Sequence, residues 1–234
     1  MPTIVFASPK GGVGKSTSAL ILATELAGQG AGVTIIDADP NRPLSRWARR
    51  PGKPESLTVI ADVAEDSIMD QIEQAARQSA FVIVDLEGTA SLLSGYAMSR
   101  ADLVIIPTQG SQLDATEAVK AIRLVRNMEK SSAKTIPAAI LLTRTSAAIR
   151  PRTLQVIEAE FANSGVKVLD TQIHERDAFR AIFSFGGSLS ELDRSQVSNV
   201  PAAAANARSF AAEVIRVLKQ PLDDFRAPAR TEVA

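Results

Sequence analysis

The segment "FASPKGGVGKST" at residues 6–17 constrains this chain more than any other. An apolar run, "TIVFAS", leads into it, and a helix-forming run, "SALILATELAG", leads out. Between them Gly11, Gly12 and Gly14 let the backbone curl until several N–H groups point at one spot, and the helix N-terminus adds its dipole. Such a strand–loop–helix unit belongs to parallel α/β folds and is built to hold phosphate oxygens. Lys15 is placed for the β and γ phosphates, Ser16 offers a hydroxyl to Mg²⁺, and Thr17 falls near the α-phosphate. The backbone from Gly11 to Gly14, Val13 included, forms the cradle. One lysine suffices for that task. Lys10 is a second, and its purpose is the question the loop raises.

Apolar runs recur at 3–8, 32–37, 57–61, 81–86, 102–108 and 136–143, with helical stretches at 14–29, 65–78, 111–130 and 150–164. Runs without polar alternation suit strands covered on both faces. The chain therefore reads as one doubly wound, mostly parallel sheet flanked by helices. "VKVLDTQI" (166–173) reads as a last strand with its exit loop, and a final helix over 201–219 opens on Pro201. One domain is expected over 1–219, followed by a polar, proline-broken tail over 220–234 that stays disordered. The final helix's apolar residues (Phe210, Val214, Ile215, Val217 and Leu218) fit a core better than a lipid surface, because Asp223 and Asp224 follow them. The chain has no cysteine and a single histidine, His174, which excludes disulfides and multi-histidine metal sites. No leader-like segment and no run near the ~20 apolar residues that span a bilayer is present, so cytoplasm is the default expectation.

A triphosphate site also needs carboxylates for its metal. "TIIDADPN" ends the second apolar run with Asp37 and Asp39, and "FVIVDLEG" ends the fourth with Asp85. Ligands of doubly wound sheets bind beyond the carboxyl ends of the strands, so all three acids fall on the loop's edge. Asp85 is expected to hold Mg²⁺ through water, Asp37 to support metal and loop geometry, and Asp39 to orient or activate the attacking water. A competing reading makes Asp39 a cap or turn residue ahead of "PNRPLSRWARR".

Taken in order, "KGGVGKST", "DADPN" and "IVDLEG" resemble the ParA/MinD family of deviant-Walker ATPases, and the resemblance runs to about residue 219. "DADPNRPLSRW" and "HERDAF" are similar to its VirC-type members, which are associated with DNA transfer. The resemblance implies ATP and Mg²⁺ as cofactors and an answer for Lys10, which would reach across a two-fold interface to the phosphates of a partner subunit's ATP. Charge logic agrees, since two nucleotides face to face need cations from each side. The resemblance also places the adenine against Thr143, Arg144 and the "IHERDAF" loop. Two departures stand out. Asn41 replaces the usual glutamine after D-x-D-P, and "DLEGTAS" lacks the usual proline, leaving the role of Glu87 open.

Between Lys120 and Arg152 lie eight basic residues and one acid, Glu129, in a chain of zero net charge. Lys120, Arg123, Arg126 and Lys130 recur at helical spacing, and Arg150 and Arg152 open the next helix. A row of this kind is expected to bind the DNA backbone without base readout. The reading is a slow, partner-stimulated, Mg²⁺-dependent ATPase whose ATP dimer binds DNA, works with an adaptor protein and positions a plasmid, a chromosome or a transfer complex. It would associate with the nucleoid and not with a membrane. The alternatives are a MinD-like membrane-surface ATPase, a metabolic ATPase of the same fold, and a non-hydrolysing binder. A further basic cluster, "RPLSRWARR" (42–50), has no assigned partner.

Overall fold

A computed structural model describes residues 1–88, 91–132, 134–149, 151–163 and 165–225. Its centre is a sheet of eight strands: β1 (Thr3–Phe6), β2 (Val33–Ala38), β3 (Leu57–Ile60), β4 (Phe81–Leu86), β5 (Leu103–Thr108), β6 (Ala138–Thr145), β7 (Lys167–Val168) and β8 (Ile173–His174). The order is β3-β2-β4-β1-β5-β6-β7, with β8 also on β6, and every pairing is parallel. This is the doubly wound sheet expected from the apolar runs, whose residues are buried on both faces.

Eight helices cover it: α1 (Lys15–Gly28), α2 (Pro43–Ala48), α3 (Ile68–Gln78), α4 (Leu92–Ser99), α5 (Gln112–Ser132), α6 (Arg152–Asn163), α7 (Asp177–Phe185) and α8 (Val200–Val217). Alternate residues of one strand serve opposite sides. Ile4 and Phe6 pack with α1, α2, α7 and α8, whereas Val5 and Ala7 pack with α3, α4, α5 and α6. Helix α1 is apolar around its circumference because it lies between the sheet and α8. The apolar residues Phe210, Val214 and Val217 of α8 are buried in that same core.

The sequence reading misses α2, α4 and α7, each of nine residues or fewer. Residues 166–173, read as a last strand with its exit loop, contain β7, and where the exit loop was expected a further short strand, β8, begins at Ile173. The break follows from buried Glu213 of α8, whose carboxylate accepts hydrogen bonds from the backbone N–H groups of Asp170 and Thr171, both at 2.7 Å. At the C-terminus, residues 222–225 form a 3-10 turn and Phe225 is buried in the core, so the tail begins later than residue 220. The rest of the expected tail, 226–234, lies outside the described residues.

Candidate nucleotide-binding site

The loop after β1 and the start of α1 form one wall of a cleft of about 620 Å³, lined by Gly11, Gly12, Gly14, Lys15, Ser16 and Thr17. Gly12 (φ 76°) and Gly14 (φ 93°) adopt left-handed conformations, which fits their glycine identity. Val13 turns its side chain into the core, and its carbonyl accepts a hydrogen bond from the Thr143 hydroxyl at 2.7 Å. That hydroxyl also reaches the Thr108 carbonyl at 3.1 Å, so Thr143 braces the loop from below. Gln109, which the sequence reading overlooks, holds the loop from the side through the Gly12 carbonyl at 3.0 Å.

Lys15 is buried, and its ammonium donates to the Lys10 carbonyl at 3.2 Å. Burial lowers its pKa, against the pull of Asp85, Asp39 and Glu87. Asp37 and Asp85 are cross-strand partners in the β2–β4 register, which sets two carboxylates side by side beneath the loop. Asp85 is fully buried, and neither of its oxygens has a hydrogen bond of good geometry among the described residues, although the Ser16 hydroxyl is near enough to act on its charge. Burial pushes its pKa up to about 7, and Asp37 and Asp39 add to the rise, while Ser16 and Lys15 oppose it. One oxygen of Asp37 accepts from the backbone N–H and the hydroxyl of Ser45, each at 2.7 Å, and the other has no partner among the described residues. Asp37 therefore ties the start of α2 to the site. Burial raises its pKa as well.

Unpaired carboxylate oxygens under a phosphate cradle fit a cation held jointly by Ser16, phosphate oxygens and water. No cluster of three or more metal-ligating side chains occurs among the described residues, so a cage built wholly of protein is not offered here. Asp39 lines the cleft and accepts from the Asn41 N–H at 2.8 Å. Asp39 is thus a turn residue that also faces the cleft. Glu87 and Gly88 close over the loop, and a Cβ at Gly88 would stand 3.2 Å from the Gly11 nitrogen.

The far end of the cleft is lined by Arg144, Ile173, His174, Glu175, Phe179 and Arg180, among others. A register shift where β6 meets β8 leaves Arg144 at φ 53°, a strained value for a side-chain-bearing residue that turns it out of the ladder. Its guanidinium and that of Arg180 both bind the Glu175 carboxylate at 3.0 Å. These bonds, Arg144's foremost, hold Glu175 below the usual carboxylate range. His174 bonds the Thr145 hydroxyl at 2.9 Å, and burial lowers its pKa. Thr143 and Arg144 are adjacent yet divide the work. The first supports the phosphate loop, and the second faces the opposite end.

Lys10 does not line this cleft. Its ammonium forms an ion pair with Asp114 of α5 at 2.5 Å. Asp114 is a residue that no sequence motif singled out, and it lies 104 positions away. On α5, Lys120 is paired with Glu117 at 2.7 Å and Arg126 with Glu129 at 3.0 Å, so half of the expected basic row is neutralised locally. Arg123 and Lys130 are exposed and form no ion pair among the described residues, and Arg152 is exposed at the start of α6. Arg150 lies outside the described residues. No helix among the described residues is long and apolar enough to cross a membrane.

Comparison with known proteins matches the VirC1 protein family model over residues 1–222. A protein ParA of Rhizobium radiobacter is 42% identical over 222 residues, covering 95% of this chain and all of that protein. A virC1 protein of Rhizobium rhizogenes is 33% identical over 187 residues, 78% of this chain and 80% of that one. Among solved structures, an ATP complex of a Cyanothece McdA variant superposes with a TM-score of 0.76 at 18% identity, covering 94% of this chain and 98% of that one. With its parallel sheet, its two-lysine phosphate loop and a family match over nearly its whole length, the chain belongs to the VirC1 family of ParA/MinD-type positioning ATPases.

Proposed function

We propose that this chain is an ATP-driven molecular switch that dimerises around ATP and Mg²⁺, binds duplex DNA through its backbone and is reset by slow hydrolysis. The observation that carries the reading is the stack of Lys15, Ser16 and the unpartnered carboxylate of Asp85 beneath one glycine-rich loop. Ser16 and Asp85 would hold Mg²⁺, with Asp37 alongside, and the ion would offset charge on the phosphates. Asp39 orients the attacking water from the cleft wall. Arg144, fixed by Glu175, offers a planar face to the base. Lys10 crosses to the partner's phosphates, which makes ATP the adhesive of the dimer. Arg123, Lys130 and Arg152 supply the cations for DNA, and Arg126 and Lys120 contribute less because acids already hold them. An adaptor protein would stimulate turnover, and DNA or a protein assembly bound to that adaptor would be the cargo. The VirC-type segments "DADPNRPLSRW" and "HERDAF" favour DNA as cargo.

The test is binding to a random-sequence duplex with ATP, with ADP and without nucleotide, at two salt concentrations. Binding that needs ATP and falls with salt is the expected result. Turnover of ATP with no DNA binding in any state would overturn the DNA part of the proposal and leave the ATPase.

A further inference from the structure

The basic cluster at residues 42–50 is a sequence motif that the proposed function does not absorb. Arg42 is already paired with Asp62 at 3.2 Å. Arg46, Arg49 and Arg50 are exposed and form no ion pair among the described residues. Their spacing of three and four places them on one side of α2 and of the turn that ends it. Trp47, between them, is buried and donates its indole N–H to the Gly187 carbonyl at 3.2 Å. The chain at Arg50 and Pro51 lies against the end of α7, so closely that a Cβ on Gly186 would stand 2.5 Å from the Pro51 carbonyl oxygen and 2.7 Å from the Arg50 Cβ. This contact sets the arginines beside Phe185, the last residue of α7, which is 51% exposed.

Phe185, Pro51, Gly52, Leu192 and Val197 line a pocket of about 350 Å³, at the small end of the range for ligand sites. Glu191 and Asp193 line it too, and both carboxylates are held in place. Glu191 accepts from the N–H and hydroxyl of Ser188 at 2.6 and 2.8 Å, and Asp193 from those of Ser195 at 2.8 and 2.7 Å. One ligand class suits both halves of this surface. Cations outside the pocket suit phosphates, an exposed ring suits a flat aromatic group, and fixed carboxylates inside suit amino donors. An anionic membrane or an acidic peptide would meet those carboxylates with like charge. A duplex would keep its bases stacked and out of the pocket.

We propose that Arg46, Arg49, Arg50 and Phe185 form a binding surface for single-stranded nucleic acid, in which the arginines hold successive phosphates and one unstacked base lies on Phe185 in the pocket. This surface is separate from the duplex-binding face proposed on α5 and α6, and it needs neither ATP nor a dimer.

The test is fluorescence anisotropy of a labelled short oligodeoxycytidylate with the whole chain and no nucleotide, a state in which the ATP-dependent duplex face is silent. The wild type should bind with a slope of about −2 in log K against log salt, the value for three phosphates of a single strand. A duplex of the same length should compete at least about tenfold less well. Arg49→Glu combined with Arg50→Glu should weaken strand binding at least about tenfold, and Phe185→Ala at least about fivefold, with melting curves checking the fold of each. A sugar–phosphate strand without bases should bind the wild type as weakly as it binds Phe185→Ala, because the ring then has nothing to stack on. No strand binding by the wild type, or undiminished binding by the double arginine variant, would overturn the site. Equal competition by the duplex would reduce it to a patch for phosphates and overturn the role of Phe185. Arginine-dependent binding to phosphatidylglycerol vesicles with no binding of the strand would assign the surface to lipid and overturn the proposal as well.

Discussion

Asp85 shows how a site of this kind trades stability for chemistry. Its carboxyl is buried, lies beside Asp37 in the strand register, and titrates near pH 7 instead of in the usual carboxylate range. A raised carboxyl pKa means that the folded chain binds the proton more tightly than the unfolded chain. Asp85 is therefore without cost below the unfolded value, near 4, and increasingly destabilising as pH climbs from there to about 7, above which the cost levels off. Asp85→Asn should raise the thermal midpoint of the nucleotide-free protein at pH 8 by at least about 3 °C and change it little at pH 4.5. The same substitution should abolish Mg²⁺-dependent ATP turnover, so calorimetry at the two pH values and an ATPase assay together check the account. Asp39, facing the cleft and bonded through its carboxylate to the Asn41 N–H, should behave differently. Asp39→Ala is expected to leave ATP affinity within about threefold of the wild type while turnover falls by about 10² or more, the range for a positioned acid–base group. Equilibrium binding and single-turnover hydrolysis separate the two effects, and unchanged turnover would assign Asp39 to the turn alone.

Among the elements, α5 joins the phosphate loop to the face proposed for DNA. Its first turn carries Asp114 against the phosphate loop, and its exposed side carries Arg123 and Lys130. With Arg152 of α6, three cations that form no ion pair among the described residues would make six in the proposed dimer, for an expected slope of about −5 in log K against log salt. Replacing Arg123 and Lys130 by Glu should remove most of that slope and weaken DNA binding at least about tenfold, with ATP turnover retained; a salt titration of duplex binding reads both. The basic spacing on α5 was legible in sequence, but its partial neutralisation was not. The pairing of Lys120 with Glu117 falls just outside the basic stretch, and Glu129 looked like a lone acid among eight bases. The strands were legible because central parallel strands such as "LVIIPT" must be apolar on both faces. Helices α2 and α7 were not, because tertiary contacts hold them. Trp47 of α2, for example, is buried and donates its indole N–H to the Gly187 carbonyl at 3.2 Å. The phosphate loop and the strand-end acids could be read from local order, whereas Asp114 and the bracing by Thr143 and Gln109 depend on which strands become neighbours.

At the scale of the whole molecule, the sheet divides the interior into two cores that share only the strands as a common wall. Phe225 closes one of them from the C-terminal end. Phe225→Ala should cost about 2–4 kcal/mol in a urea melt, near the usual range for a buried aromatic, and a loss below about 0.5 kcal/mol would mean that the last turn is dispensable. The carboxyl edge of the sheet is where segments from the two sides meet. Asp39, Glu175 and Arg180 arrive from the side of α1, and Glu87, Gly88 and Asp114 from the side of α5. A nucleotide seated there would be a stitch between the two layers. Amide exchange should consequently slow on ATP binding in α3 and α8 alike, although neither helix lines the cleft, because one small molecule would then touch segments from both layers at once.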